Sequence, residues 1–154
     1  ELFNAFSSLL TAIPDEVTHS IGTLRLSSEQ FTLFDLDLFM SVKKVEKDWG
    51  YELWLANNET ENYCGKILYI REGYRGSMHF HSEKHETFYI LEGKLRVDTL
   101  NTETAEKSVD ILNEGDTFVL DRLKPHQLIA HEGDVKFIEI STFHKDSDSY
   151  RVWR

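Results

Sequence analysis

His79 and His81 stand two residues apart, Glu86 follows five residues after His81, and His126 lies forty residues beyond that glutamate. On an extended strand, residues i and i+2 point to the same face, so one short segment presents two imidazoles together. A turn over residues 82–85 returns a carboxylate to the same side, and a third imidazole arrives from a distant strand. Three neutral nitrogens and one carboxylate oxygen suit one divalent transition metal, Mn, Fe, Co, Ni or Zn, rather than Ca or Mg, which take oxygen shells. Four such ligands on an octahedral ion leave two open positions for waters or a chelating substrate such as a hydroxy-carbonyl compound. A closed structural zinc site would be rich in cysteine, and the chain has only Cys64. His19, His131 and His144 are read as hydrogen-bonded bystanders, because a lone histidine on a strand is more often that than a ligand.

These side chains need a scaffold that brings distant segments together. From residue 42 onward, short apolar runs alternate with turns, and the runs predict strands over 49–56, 63–71, 77–81, 86–92, 94–100, 107–112, 117–121, 126–131 and 135–142. Gly73, Gly76, Gly93, Gly115 and Gly133 punctuate them. Many short strands without alternating helices imply a sandwich or barrel. Residues 1–41 form an N-terminal arm: Leu2, Phe3, Phe6, Leu9 and Leu10 have helical spacing up to Pro14. Within 24–40 the nearly continuous apolar residues Phe31, Leu33, Phe34, Leu36, Leu38 and Phe39 are broken by Asp35 and Asp37, an alternation that favours a strand, while Ser27 or Ser28 before Glu29 could equally cap a helix. So much apolar surface calls for cover by the barrel or by a second copy, and the expected assembly is a homodimer. Residues 144–154 form a charged, loop-like tail in which Tyr150 and Trp153 fold back on something.

Composition narrows the partners. The 154 residues carry 27 acidic against 17 basic side chains, a formal net charge of −10. That balance opposes phosphate backbones, and no basic stripe is present, so neither nucleic acid nor an anionic membrane is an expected partner. No stretch is long and apolar enough to span a bilayer. A single cysteine allows no intrachain disulfide, and a reducing cytoplasm is the expected setting. Cys64 reads as a small buried hydrophobe. Lys43, Lys44 and Lys47 read as a solvated strand edge. Trp49, Tyr51 and Trp54 read as core packing, with sugar stacking open to one of them. Lys66, Tyr69, Arg71, Tyr89, Lys124 and Gln127 are polar groups on or beside barrel strands, but sequence leaves their facing open.

The spacing Gly73-x5-His79-x-His81-x4-Glu86-x6-Gly93, with Gly115 and then His126 eleven residues on, resembles the two motifs of the cupin superfamily. The resemblance implies an all-β fold, a double-stranded β-helix (jelly-roll) barrel over 42–143, with His79, His81, Glu86 and His126 as metal ligands. Glu83 and His85 share the turn with Glu86 but lack its spacing within the motif. The second motif departs from the usual pattern: Asp121 and Leu123 stand where Pro and Gly are usual, and Ala130 where an Asn is usual. Within the superfamily, residues 44–141 look most like the mannose-6-phosphate isomerase group, through Trp49-Gly50-Tyr51-Glu52, Lys66-Ile67-Leu68, the run Glu86–Gly93 and Ile138-Glu139-Ile140-Ser141. Gln127 stands where that group commonly has Arg. The resemblance implies a metal-dependent isomerase or epimerase of a sugar or sugar derivative. An iron dioxygenase and a non-catalytic sugar-binding or regulatory barrel would use the same ligands. Glu83, Tyr89 and Lys124 are the candidate bases nearest the ligands in sequence.

Overall fold

The computed structural model describes residues 42–153, so the expected arm over 1–41 lies outside the described residues. These residues form β1 (Lys43–Lys47), β2 (Gly50–Asn58), β3 (Tyr63–Ile70), β4 (Met78–Phe80), β5 (Glu86–Glu92), β6 (Leu95–Leu100), β7 (Lys107–Leu112), β8 (Thr117–Leu120), β9 (His126–Ala130), β10 (Val135–Ser141) and β11 (Tyr150–Trp153), with a 3-10 turn at Asp146–Asp148. Two antiparallel sheets face each other, in the orders β1-β2-β3-β10-β5-β8 and β11-β4-β9-β6-β7. This is the jelly-roll barrel that the resemblance implies. No described helix is long and apolar enough to cross a membrane.

Period-two patterning makes the strands. In β3, Cys64, Lys66, Leu68 and Ile70 turn inward and are buried, while Gly65, Ile67 and Tyr69 face out. β10 does the same with Val135, Phe137, Glu139 and Ser141, and the register sets Phe137 beside Leu68 and Ile90, and Glu139 beside Lys66 and Phe88. At one end of the barrel the inward groups are all apolar: Leu68, Ile70, Phe88, Ile90, Leu95, Val97, Val135 and Phe137 join one core. Cys64 is buried as expected, and burial pushes its thiol up, away from a reactive thiolate. Gly93 turns β5 into β6 at φ +79°, where an added Cβ would lie 2.2 Å from the Asp134 carbonyl oxygen, so only glycine fits.

All nine expected strands are present, within a residue or two. Two more are present, the first matching the solvated strand edge read for the lysines and the second unforeseen. β1 is the lysine run itself, paired to β2 as an exposed edge whose charges discourage further pairing. β11 comes from the tail: Tyr150 stacks on Phe80 at 5.1 Å, and Arg151 pairs with His79 in the ladder.

Candidate metal centre

β4 carries His79 and runs into His81; β9 begins at His126, directly opposite His79 across the ladder. The three rings converge, each offering a nitrogen within 4.8 Å of the others. Their orientation is fixed from behind. His79 Nδ1 lies 2.9 Å from the Ser77 carbonyl, His81 Nδ1 2.8 Å from the Asp148 carbonyl, and His126 Nδ1 3.0 Å from the Lys124 carbonyl. A carbonyl only accepts, so each Nδ1 carries the proton and each Nε2 presents a lone pair to the centre. Burial holds all three below the usual histidine range, His81 at about 4 with help from the Lys84 ammonium, so the rings are neutral near pH 7. His126 Nε2 is buried without a hydrogen-bond partner. Three neutral imidazoles turning unpartnered lone pairs on one point is the donor set of a divalent transition metal.

Glu86 opens β5 beside this cluster, its oxygens 3.9 Å from His81 Nε2 and 3.5 Å from His126 Nε2. It does not stand alone. The buried Lys84 ammonium donates to Glu86 Oε1 at 2.7 Å and also to Glu139. One cation thus serves two buried carboxylates, and they settle differently. Glu139 has Lys84 and Lys66 to outweigh its burial and is held at about 2. Glu86 has the smaller share; burial, with Glu139 nearby, pushes it up to about 7 despite Lys84.

The loop between His81 and Glu86 is shaped by Asp148. This buried carboxylate accepts from the Ser82 hydroxyl at 2.6 Å and from the backbone N–H groups of Ser82 and Lys84 at 2.9 and 3.0 Å. Those bonds overcome the effect of burial and hold it below the ordinary aspartate range. Leu123 secures the other side, its N–H donating to the His81 carbonyl at 2.7 Å. Its φ is +62°, the left-handed conformation that the usual glycine of this motif would take freely, so here a leucine adopts it under strain.

The centre opens into a cavity of about 360 Å³ whose walls include Glu52, Lys66, Lys84, Glu139 and His144. A second cavity of about 400 Å³ shares Lys47, Trp49, Gly76, Ser77 and Arg151 with it and adds Arg75, which makes one cleft running out from the histidines. The candidate bases lie elsewhere. Glu83 is exposed and pairs with Lys145, Tyr89 faces solvent on the outside of β5, and Lys124 is absent from the cavity wall. Tyr69 bonds Asp134, Arg71 reaches the Asp48 carbonyl, and Gln127 reaches the Gly76 carbonyl; of the six polar groups left open, Lys66 is the one on the cavity wall. His144, read as a bystander, lines the cavity with its ring edge against Trp54 at 5.0 Å. Of the aromatic trio, Trp49 borders the cleft and packs on the core, while Tyr51 stacks on Tyr69 on the outer face.

Residues 67–141 match the family model of the cupin domain. No curated protein sequence matches the chain. Among solved structures, the chain superposes on oxalate decarboxylase from Bacillus subtilis (18% identity, TM-score 0.64, 73% of this chain and 30% of that one). It also superposes on the Lactobacillus farciminis oxalate decarboxylase formate complex (16%, TM-score 0.62, 73% and 34%). A third is the capsular polysaccharide assembling protein CapF from Staphylococcus aureus (14%, TM-score 0.67, 78% and 34%). The chain therefore spans about a third of the length of the structures it matches, and at these identities the likeness carries the fold alone.

Proposed function

We propose that the cupin barrel of this chain binds one divalent transition metal through His79, His81, Glu86 and His126, and acts on a carbohydrate as an isomerase or epimerase. The observation that carries the metal is the set of three buried, neutral rings, each tied at Nδ1 to a backbone carbonyl, with Nε2 turned to a common point. When bound, the metal supplies Lewis-acid polarisation of a carbonyl and its neighbouring hydroxyl. The chain's own part is to fix the ligands and shape the cavity. Asp148 and Leu123 hold His81 from both sides, and Lys84 keeps Glu86 turned toward the histidines.

Two features support a carbohydrate. The cavity wall is dense in charged hydrogen-bonding groups, as a polyhydroxylated ligand requires, with few apolar ones. From the Trp49-Gly50-Tyr51-Glu52 element that marked the sugar-enzyme resemblance, Trp49 and Glu52 both reach that wall. The test is solvent exchange. With metal content established by elemental analysis, an isomerase moves deuterium from heavy water onto the carbon next to the carbonyl of an aldose or ketose. No exchange and no turnover across a panel of sugars and sugar phosphates, with the metal fully loaded, ends the isomerase reading.

A further inference from the structure

The cavity holds two buried lysines in opposite states. Lys84 is 3% exposed, and its ammonium is engaged by both Glu86 and Glu139 at hydrogen-bonding distance. Lys66 is 2% exposed, yet its nearest carboxylate oxygens, Glu52 Oε2 and Glu139 Oε1, are 3.6 and 4.0 Å away. These are charge contacts, not hydrogen bonds. Both carboxylates are committed elsewhere: Glu52 accepts from Trp54 Nε1 at 2.8 Å and pairs with Lys47, while Glu139 is taken by Lys84 and by Ser141 at 3.1 Å. Lys66 Nζ rests over the Trp54 ring at 4.5 Å, which attracts its charge but accepts no conventional hydrogen bond. A buried ammonium thus faces the cavity with its three N–H donors unmet by any described residue.

Such an arrangement is poor structural design. A charge at this inward position of β3 carries a desolvation cost that an apolar side chain there would avoid, and Lys66 borders the cavity rather than being sealed from it. The acceptors that Lys66 lacks must come from what fills the cavity. We propose that Lys66 is a substrate-binding residue of the proposed carbohydrate site, donating to a hydroxyl or carbonyl oxygen of a ligand whose other end lies at the histidines. Glu52 and Glu139 flank the ammonium without consuming its donors. The proposal rests on the functional reading above, so its test must fail separately from that reading.

The variant is Lys66→Met, which keeps length and removes the donors. Metal content is measured first; it stays equal to wild type, because Lys66 touches none of the four proposed ligands, whereas a role in positioning Glu86 would lower it. Both metal-loaded proteins are then titrated with D-fructose, an α-hydroxy ketone, and separately with inorganic phosphate, read by tryptophan fluorescence. A loss of affinity of about tenfold or more for either probe, at unchanged metal content, is the expected result, the scale of one charged hydrogen bond. Loss with phosphate alone supports Lys66 as an oxygen-binding donor and counts against the sugar reading. Equal behaviour of wild type and variant toward both probes, or loss of metal in the variant, overturns the proposal. Should Lys66→Met fail to fold, Lys66→Met/Glu52→Gln removes the charge pair together and is read in the same way.

Discussion

The two ends of the barrel interior are built from the same strands by the same alternation, yet they are opposites. In β10, Val135 and Phe137 point into the apolar end, and two residues further Glu139 points into the charged end. β3 passes from Ile70 and Leu68 to Lys66, and β5 from Ile90 and Phe88 to Glu86, all in step. The apolar end is self-sufficient: its groups need only each other. The charged end forms a ladder of alternating sign, Glu86, Lys84, Glu139, Lys66, Glu52 and Lys47, in which every member leans on a neighbour. The two ends divide the labour. Hydrophobic burial at one end carries stability, and that stability sustains a costly polar arrangement at the other.

Breaking the charged end at its histidines should have the most complete effect. A His79→Ala/His81→Ala variant should lose its stoichiometric metal in elemental analysis, while its melting temperature stays near that of metal-free wild type. Loss of the fold with the metal would show that the two ends are not separable. Next in size come single residues at each end. Phe137→Ala, fully buried in the apolar core, should cost about 3–5 kcal/mol in denaturant unfolding. Lys84→Met should cost a similar amount, about 3–5 kcal/mol, because it leaves two buried carboxylates facing each other. The ends differ in rescue: Lys84→Met/Glu139→Gln should recover much of the loss, whereas no second truncation restores the Phe137 cavity.

A smaller effect follows from pH. A metal held by the proposed ligands needs Glu86 ionised and the imidazoles neutral. Glu86 sits at about 7 and His81 at about 4, so acidification first protonates Glu86. Metal affinity should therefore fall about tenfold per pH unit below 7, and calorimetry should detect about one proton released per ion bound there. Glu86→Gln should flatten that dependence between pH 5 and 7; an unchanged slope would assign the proton to another group. The smallest change concerns Leu123. Leu123→Gly should stabilise the protein by about 1 kcal/mol, because glycine takes its positive φ without strain and the leucine side chain is exposed.

The sequence displayed the imidazoles because strand period and turn length constrain them directly. His79 and His81 had to share a face, and His126 had to open a strand. The ladder was hidden for a different reason. Lys66 and Glu139 lie on the same parity as Leu68 and Phe137, which was the available signal: a charge standing where the alternation calls for a core residue. Without the register between β3 and β10, the facing of Lys66 stayed open and Glu139 stood only as part of the Ile138-Glu139-Ile140-Ser141 run. Lys84 sits in a turn, where no periodicity applies. β11 is four exposed residues, too short to pattern, and its place is fixed by Asp148 and by pairing with β4.

Asp148 also sets an order in time. The chain is made from its N-terminus, and the carbonyl that fixes the His81 ring comes 67 residues after that ring. While the ribosome is still producing the strands between, His79 already has the Ser77 carbonyl behind it, but nothing yet aims His81. The centre is assembled only when the segment around Asp148 has emerged and β11 has closed over β4. Metal capture at the proposed centre is accordingly expected late in biogenesis, as a seal on a barrel already wound rather than the seed around which it winds.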